Sequence, residues 1–384
     1  MNPARPVYLD YQATTPVDPR VVEAMLPYLT TEFGNPSSSH AYGRAAAAAV
    51  ETARAEVAAL IGAKDPEEIV FTSSGTESNH LALTGAAHAL RAAGRGDHVI
   101  TTAIEHPASQ ATCDQLVGAG FRVTRLPVGA DGRLDPGDLA DALTPGTVLV
   151  SVMHANNEIG TLQPLADLAV LTRDRGILLH SDAAQSPATV PVDVDEFGVD
   201  LLTLVGHKMY APKGVGALYI RCGTPLVPQL VGGGQERGVR AATENVPGIV
   251  ALGAAAAIAE AEQAADAARI RPLRDRLLGE LTAVLPGLHV NGSLTDRLPG
   301  NLSLTIPHVT AEQMMAAAPD VAFSAGAACH TGNTAPSPVL TALGLTPQQA
   351  AHTIRLGIGR YTTDSDITAA AAQLRAAARQ PAAR

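Results

Sequence analysis

Lys208 is the residue whose setting in the sequence most suggests chemistry. It follows the apolar run Val199–Val205 directly after Gly206 and His207, and a second apolar run ends at Ile220. Both runs are short and rich in Leu, Val and Ile, which predicts two buried strands with a Gly- and Pro-rich connection. A lone lysine just past a strand is most often a solvated surface residue, so its neighbours decide whether this one is functional.

Polar side chains follow two other predicted strands. Thr147–Met153 leads to Asn157, and Gly176–Leu179 leads to Asp182 and Gln185. The segment between these strands has the apolar spacing of a short helix, so the region is predicted to be a strand-helix-strand unit. Ligands of open parallel sheets bind beyond the carboxyl ends of the strands. We therefore expect these side chains and the lysine to converge on one pocket.

Two further strand ends carry groups suited to a ligand. The strand Glu68–Thr72 runs into Ser73–Asn79, where small hydroxyl residues and glycine precede a helix and could present backbone N–H groups to a phosphate. An ordinary helix N-cap is the alternative interpretation of that junction. The strand Asp97–Ala103 ends near His106, which could equally be a surface histidine.

Together these groups are the parts of a pyridoxal-phosphate site. Such a site needs a lysine that binds the cofactor as a Schiff base and a carboxylate that keeps the ring nitrogen protonated, so that the ring can draw electrons from the substrate carbon. Asp182 suits the carboxylate role. A stacked His106 and a hydrogen bond from Gln185 to the ring oxygen would complete the surroundings of the ring.

The composition and length predict two domains in a soluble globular enzyme. The chain has 384 residues, of which 46% are hydrophobic and 17% charged. An Ala-rich helix is predicted from about Pro247 to Gln263, followed by a second helix through Leu285. Beyond about residue 260 the strand candidates Asn301–Ile306 and Ile354–Gly359 alternate with helices, which indicates a smaller α+β domain.

Charge and hydropathy exclude several classes of partner. A net charge of −10 argues against direct binding of nucleic acid or of anionic membranes. The N-terminal residues lack the apolar core of a signal peptide, and the longest uncharged run, 246–259, is too short to span a bilayer. We expect a cytoplasmic protein that does not bind membranes.

Three cysteines are present, Cys113, Cys222 and Cys329. Their number and spacing suggest neither a zinc site nor a disulfide framework, and no metal site is predicted. The first two lie in apolar strand or helix contexts, which predicts inert packing residues. Cys329 lies in a loop of small residues, 323–336, and is therefore the candidate for a reactive thiol.

Ten motifs in this order resemble those of the cysteine desulfurases and selenocysteine lyases, the class V aminotransferase-like enzymes that depend on pyridoxal phosphate, and the similarity covers essentially the whole chain. The motifs are Tyr11-Gln-Ala-Thr-Thr-Pro16, Gly34-Asn-Pro-Ser37, Ser74-Gly-Thr-Glu-Ser78, Glu105-His106, Asn156-Asn-Glu158, Asp182-Ala-Ala-Gln185, Gly206-His-Lys208, Gly232-Gly-Gly-Gln-Glu-Arg237, Gly326-Ala-Ala-Cys329 and Ile354-Arg-Leu-Gly-Ile-Gly-Arg360.

The resemblance implies a fold and a division of the chain. The implied fold is α/β, the fold type I of pyridoxal-phosphate-dependent transferases, with a mainly parallel central sheet, helices on both faces and a smaller α+β domain. Residues 16–258 would form the large cofactor-binding domain. Residues 1–15 and 259–384 would form the small domain with the reactive cysteine loop.

The resemblance also implies roles for individual residues. Lys208 would bind the cofactor covalently, Asp182 would pair with the ring nitrogen, and His106 would stack on the ring. The residues implied for the ring hydroxyl are Gln185 and Asn157, and those implied for the phosphate are Gly75, Thr76, His207 and, from the other subunit of a homodimer, Thr243. The residues implied for the substrate carboxylate are Arg355, Asn35 and Asn157. Cys329 would take sulfur from L-cysteine as a persulfide and pass it to an acceptor protein.

Two departures from the family pattern leave the substrate open. Gly206 stands where many members have a serine that helps to hold the phosphate, and His330 stands where cluster-assembly desulfurases usually have threonine. His330 and the segment Pro336–Leu340 look more like selenocysteine lyases, so release of selenide from selenocysteine is the alternative activity. An alternative of another class is a non-catalytic sulfur-carrier or scaffold subunit. The acceptor could belong to iron-sulfur cluster assembly, tRNA thiolation or DNA phosphorothioation.

Overall fold

The computed structural model describes residues 5–326 and 336–379. Within them the strands are β1 (Val7–Tyr8), β2 (Ile69–Thr72), β3 (His98–Thr102), β4 (Arg122–Leu126), β5 (Thr147–Ser151), β6 (Leu178–Asp182), β7 (Leu201–Val205), β8 (Gly216–Ile220), β9 (His289–Val290), β10 (Asn301–Thr305), β11 (Val321–Ala322), β12 (Ser324–Ala325) and β13 (Thr353–Gly357).

The helices of the same residues differ widely in length. They are α1 (Pro19–Met25), α2 (Ala41–Leu60), α3 (Gly75–Ala92), α4 (Pro107–Gly118), α5 (Pro136–Ala142), α6 (Leu165–Arg173), α7 (Val194–Phe197), α8 (Val246–Thr282), α9 (Ala311–Ala317), α10 (Pro338–Ala342), α11 (Pro347–Ala351) and α12 (Asp364–Arg379).

The large sheet confirms the predicted α/β fold. Its seven strands run in the order β2-β8-β7-β6-β5-β3-β4, and they are parallel except for β8, which is antiparallel to both of its neighbours. Most of its strands are buried along their whole length, as expected of a sheet covered on both faces. One face packs against α3 and α4, and the other packs against α2, α6 and the start of α8.

The edge strand β4 has no counterpart among the strands predicted from the sequence. Its residues are Arg-Val-Thr-Arg-Leu, and only Leu126 is buried. A strand that is exposed along one edge needs no apolar run, so its composition is that of a loop.

The small domain is built on an antiparallel sheet with the order β12-β13-β10-β9. The N-terminal strand β1 pairs in parallel with β11, so the start of the chain joins this domain. A separate apolar cluster fills its core, with Leu302, Leu304, Ile354 and Leu356 among its fully buried members.

Helix α8 corrects the prediction of two successive helices between residues 247 and 285. It is one helix of 37 residues with Pro272 in its interior. Proline removes one backbone hydrogen bond, but the buried neighbours Ile270 and Leu273 keep the helix in place on both sides of it. The first half of the helix enters the core of the large domain, and the second half enters that of the small domain.

Alone among the described helices, α8 has the length and apolar composition of a membrane span. Its buried positions are those that pack into the two cores, which is the behaviour of a core helix in a globular protein.

Candidate active site

A cavity of about 370 Å³ lies beyond the carboxyl ends of the parallel strands. It gathers nine of the residues predicted from the sequence, which are Gly75, Thr76, His106, Asn157, Asp182, Gln185, His207, Lys208 and Arg355. It is also lined by Gln12, Ala13, Ser74, Asn79, Met153, Ala155, Ala184 and Val205. The expected convergence of strand-end side chains is therefore present in the structure.

Lys208 lies in this cavity on a single 3-10 turn, Gly206–Lys208, that directly follows β7. Its Nζ donates hydrogen bonds to the backbone carbonyl of Gln12 and, at 2.8 Å, to that of Ala13. Burial is the largest of the effects that lower the pKa of Lys208 from 10.5 to about 8, and the charge of Arg355 adds to it. An amine with this pKa is partly unprotonated near neutral pH and can act as a nucleophile.

The lowered pKa gives a measurable pH dependence. We expect the rate at which cofactor-free protein captures pyridoxal phosphate to rise with pH and to reach its half-maximum near pH 8, because the unprotonated Lys208 amine is the reacting form. The measurement is stopped-flow absorbance between about pH 6.5 and 9.5. A rate that is still rising steeply at the upper limit, as for a lysine of ordinary pKa, would contradict the burial argument.

Asp182 is the last residue of β6, and its carboxylate is held by two donors. Asn79 Nδ2 donates to Asp182 Oδ2 at 2.6 Å, and the backbone N–H of Ala184 donates to Oδ1 at 2.9 Å. The two donors fix the orientation of the carboxylate. In this orientation it can accept a further hydrogen bond from a protonated ring nitrogen.

The N-terminus of α3 forms another wall of the cavity. Ser74 is its N-cap, and its Oγ accepts a hydrogen bond from the backbone N–H of Glu77 at 3.2 Å. The N-cap interpretation of this junction is thus correct for Ser74, while Gly75 and Thr76 line the cavity at the positive end of the helix. A Cβ at Gly75 would lie 2.5 Å from Val205 Cγ2, so glycine is the residue that fits there.

The structure accounts for Gly206, where the resemblance implies serine. A Cβ on Gly206 would lie 2.8 Å from Val215 Cγ1 and 3.0 Å from the Val215 backbone oxygen. A serine would therefore require its neighbours to shift.

His207 and His106 lie at the same cavity. Burial, together with the nearby charge of Lys208, lowers the pKa of His207 to about 4, so its ring is neutral at pH 7. His207 Nδ1 lies 3.1 Å from the Thr14 hydroxyl. His106 caps α4 through Nδ1, which accepts the backbone N–H of Ala108 at 3.1 Å. That contact leaves the ring of His106 at the cavity wall.

Arg355 brings a guanidinium from β13 of the small domain into the cavity. Its Nη2 donates to Asp10 Oδ1 at 2.9 Å and to Ser324 Oγ at 3.1 Å, while Nη1 donates to the Asn157 carbonyl at 3.1 Å. Its Nε is buried and has no hydrogen-bond partner within the described structure. A planar guanidinium at the cavity wall suits a ligand carboxylate.

The small domain also fixes the turn that carries Asn157. Each of the next three residues of the turn offers its carbonyl to a donor of the small domain. The bonds are Asn301 Nδ2 to Glu158 O at 3.2 Å, Arg297 Nη2 to Ile159 O at 2.6 Å and Leu298 N to Gly160 O at 2.9 Å.

Glu105, which precedes His106, has no role predicted from the sequence. It is fully buried, and burial is the main cause that raises its pKa to about 8. Its carboxyl oxygens accept the Thr102 hydroxyl at 2.7 Å and the Met153 backbone N–H at 3.0 Å. The residue therefore ties the ends of β3 and β5 together under the cavity.

Two predicted site residues lie away from the cavity of one chain. Asn35 is exposed on the loop before α2, where its Oδ1 accepts the Ser37 backbone N–H at 2.9 Å. Thr243 is exposed on the glycine-rich segment before α8. Their proposed roles therefore need a second copy of the chain or a rearranged loop.

The prediction that Cys113 and Cys222 are packing residues is confirmed for Cys113 and wrong for Cys222. Cys113 is buried, and burial is the main cause that raises the pKa of its thiol to about 12, so it is inert as predicted. Cys222 is exposed, because it comes two residues after the end of β8 rather than inside the strand. Cys329 lies outside the described residues.

A larger cavity of about 510 Å³ lies away from these groups, around the start of β6. Two of its basic residues, Lys64 and Arg221, are both paired with Asp195, at 2.8 Å and 2.7 Å. This cavity is the larger of the two, but the side chains suited to catalysis line the smaller one.

Known proteins resemble the chain over nearly all of its length. The Aminotransferase class-V family matches residues 7–369. A protein of Anaeromyxobacter dehalogenans (strain 2CP-C) named cysteine desulfurase IscS is 50% identical over 94% of this chain and 90% of its own length. Among solved structures, a NifS-like protein shares 35% identity with a TM-score of 0.90, covering 96% of this chain and 98% of that one. SspA, solved in complex with cysteine, shares 35% identity with a TM-score of 0.81, covering 93% and 99%.

Proposed function

Because the chain belongs to the class V aminotransferase family and within it to the cysteine desulfurases, we propose that its cavity holds pyridoxal 5'-phosphate for the conversion of L-cysteine to L-alanine. The cysteine in the SspA structure supports L-cysteine as the substrate of this chain. The observation that carries the proposal is that a half-buried lysine amine, an aspartate with two hydrogen-bond donors and a helix N-terminus line the same cavity.

The residues present fit the cofactor. Gly75, Thr76 and His207 would hold its phosphate, and Asp182 would accept the hydrogen bond of its ring nitrogen. The residues proposed for the face and the hydroxyl side of the ring are His106, Asn157 and Gln185. When bound, the cofactor draws electrons from the substrate α-carbon.

Lys208 and Arg355 would act on the substrate. The Lys208 amine would hold the cofactor at rest and, once displaced, would accept the α-proton and return a proton during formation of alanine. Arg355 would bind the substrate carboxylate, since its guanidinium lines the cavity and is held in place by Asp10. The neutral ring of His207 avoids placing another cation beside Lys208.

Cys329 would take the sulfur. Its thiolate attacks the substrate sulfur, a sulfur–sulfur bond forms while the carbon–sulfur bond breaks, and the electron pair returns to the carbon skeleton, which gains protons to become alanine. The products are L-alanine and a Cys329 persulfide, so all atoms of L-cysteine are accounted for. A cationic neighbour such as His330 would favour the thiolate. The persulfide would then pass to an acceptor protein in the cytoplasm.

The direct test is alanine release. Protein reconstituted with pyridoxal phosphate should be yellow and should release one alanine for each sulfur recovered after addition of a thiol reductant. A colourless protein without alanine release would refute the proposal. A scaffold subunit without catalysis would give the same result, and the collected Lys208, Asp182 and His106 argue against that alternative.

We propose a homodimer because large apolar side chains at the start of the glycine-rich segment are exposed and the segment is well anchored. Leu230 and Val231 are 47% and 83% exposed. Glu236 forms a buried ion pair with Arg54 at 2.8 Å, so the segment that carries Thr243 has a fixed position. A second copy would cover the apolar residues and receive Thr243 at its phosphate site.

Paired subunits test whether Thr243 acts across the dimer. Consider a heterodimer of one Lys208→Ala subunit and one Thr243→Ala subunit. If Thr243 reaches across, the site of the Lys208→Ala subunit also receives the mutated residue 243 and carries both defects. The site of the other subunit then has an intact Lys208 and an intact Thr243. We expect such a heterodimer, purified with two different affinity tags, to show about half the activity of the wild type. If Thr243 served its own subunit, each site would carry one defect. The heterodimer would then show no site of wild-type activity, which contradicts the proposal.

A further inference from the structure

Asn79 lines the cavity, although no role was predicted for it. It lies in the second turn of α3 and is 1% exposed. Its Nδ2 lies 2.6 Å from Asp182 Oδ2, which is the shorter of the two hydrogen bonds that Asp182 receives. An amide in this position is a polar contact inside the protein rather than a surface group.

The chemistry of the contact fixes the orientation of the amide. A carboxylate only accepts hydrogen bonds, so an Asn79 oxygen facing Asp182 would oppose two acceptors at 2.6 Å. The nitrogen therefore faces the aspartate. The Asn79 oxygen is then buried without a hydrogen-bond partner in the described structure. Burial of an unpaired oxygen is costly, and the hydrogen bond to Asp182 is the contact that offsets this cost.

The place of Asn79 on α3 adds a second argument. The same helix presents Gly75 and Thr76 at its N-terminus, and Asn79 follows one turn later, about 4.5 Å along the axis from Thr76. A single rigid element thus touches both ends of the proposed ligand, its phosphate directly and its ring nitrogen through Asp182.

We propose that Asn79 is a positioning residue that holds the Asp182 carboxylate oriented toward the ring nitrogen of the cofactor. The inference rests on the proposed function, because it needs pyridoxal phosphate in this cavity. Without the amide, the Ala184 N–H is the donor that remains to Asp182 among the described residues, and the carboxylate is free to rotate. A carboxylate that rotates is aligned less well with the proton of the ring nitrogen, so that proton is held less firmly.

Asn79→Ala tests the proposal, with Ser78→Ala as the matched control. Ser78 is also fully buried on this turn of α3, and its Oγ lies 2.7 Å from the Thr72 hydroxyl, but it does not line the cavity. Both variants lose one buried hydrogen bond of the same helix. Asn79→Ser, too short to reach Asp182, replaces Asn79→Ala if the alanine variant does not fold.

The readouts are the dissociation constant of pyridoxal phosphate and the NMR shift of a cofactor that is isotope-labelled at the ring nitrogen. We expect Asn79→Ala to weaken cofactor binding by about tenfold or more and to lower the pH at which the ring nitrogen loses its proton. Ser78→Ala should lower the melting temperature while leaving both readouts at the wild-type values.

The outcomes separate this inference from the proposed function. Equal changes in the two variants, or an unchanged ring nitrogen in Asn79→Ala, would show that Asn79 only ties α3 to β6 and would overturn the inference. In that case the wild type would still bind the cofactor through Lys208. Wild-type protein that fails to bind the cofactor at all would instead refute the proposed function.

Discussion

Replacing Lys208 by alanine is expected to lower alanine release from L-cysteine by more than about a thousandfold. The variant lacks the amine that we propose binds the cofactor and moves the α-proton. No neighbouring side chain can substitute, because the other two lysines of the chain, Lys64 and Lys213, do not line the cavity. Free cofactor would still find the helix N-terminus and Asp182, so some non-covalent binding should remain.

Borohydride reduction followed by peptide mass spectrometry checks this assignment. In wild-type protein loaded with the cofactor we expect the label on Lys208 alone. Lys213→Ala is the matched control, since it removes a lysine from the same connection and should keep both colour and activity. A label on Lys64 or Lys213, or near-normal turnover by Lys208→Ala, would contradict the site.

The second large effect concerns Cys329. We expect Cys329→Ala to lose alanine release from L-cysteine while keeping much of its activity on selenocysteine. Sulfur leaves carbon poorly unless a thiolate attacks it, whereas selenium forms a weaker bond to carbon and leaves with less help. The measurement is alanine release from both amino acids by the wild type and the variant, with mass spectrometry for a persulfide.

Cys222→Ser is the necessary control, because Cys222 is exposed and would also react with reagents used to trap persulfides. It should change neither activity. A persulfide found on Cys222 or Cys113 would remove Cys329 from the mechanism. Negligible activity of the wild type on L-cysteine beside rapid turnover of selenocysteine would favour the lyase.

The sequence predicts which side chains share the cavity where residue type and strand position agree. Lys208, Asp182 and His106 each follow a predicted strand, and the carboxyl ends of parallel strands lie together. The role proposed for Asn79 could not be predicted in this way, because it depends on a hydrogen bond from a helix to Asp182 at the end of a strand. The hydrogen bond from Lys208 to the backbone carbonyl of Gln12 is not predictable in this way either, because every residue type has a backbone carbonyl.

Other elements escape prediction because tertiary packing decides them. Strand β4 is recognisable only by its partner β3, with which it pairs in parallel over five residues. The exposure of Cys222 depends on where β8 ends, and strand ends are the least certain part of a sequence pattern. Thr243 cannot be assigned from one chain, because its proposed site belongs to another.

The continuous course of α8 through both cores restricts how the enzyme can move. Two domains joined by a loop can rotate freely about it, but here any change in the angle between the cores has to bend a helix. Bending costs least at Pro272, where the carbonyl of Ala268 lacks its helical donor. The helix therefore resists bending everywhere except near Pro272. We expect Arg355 to move toward and away from the cavity over a short distance, without a wide opening between the domains.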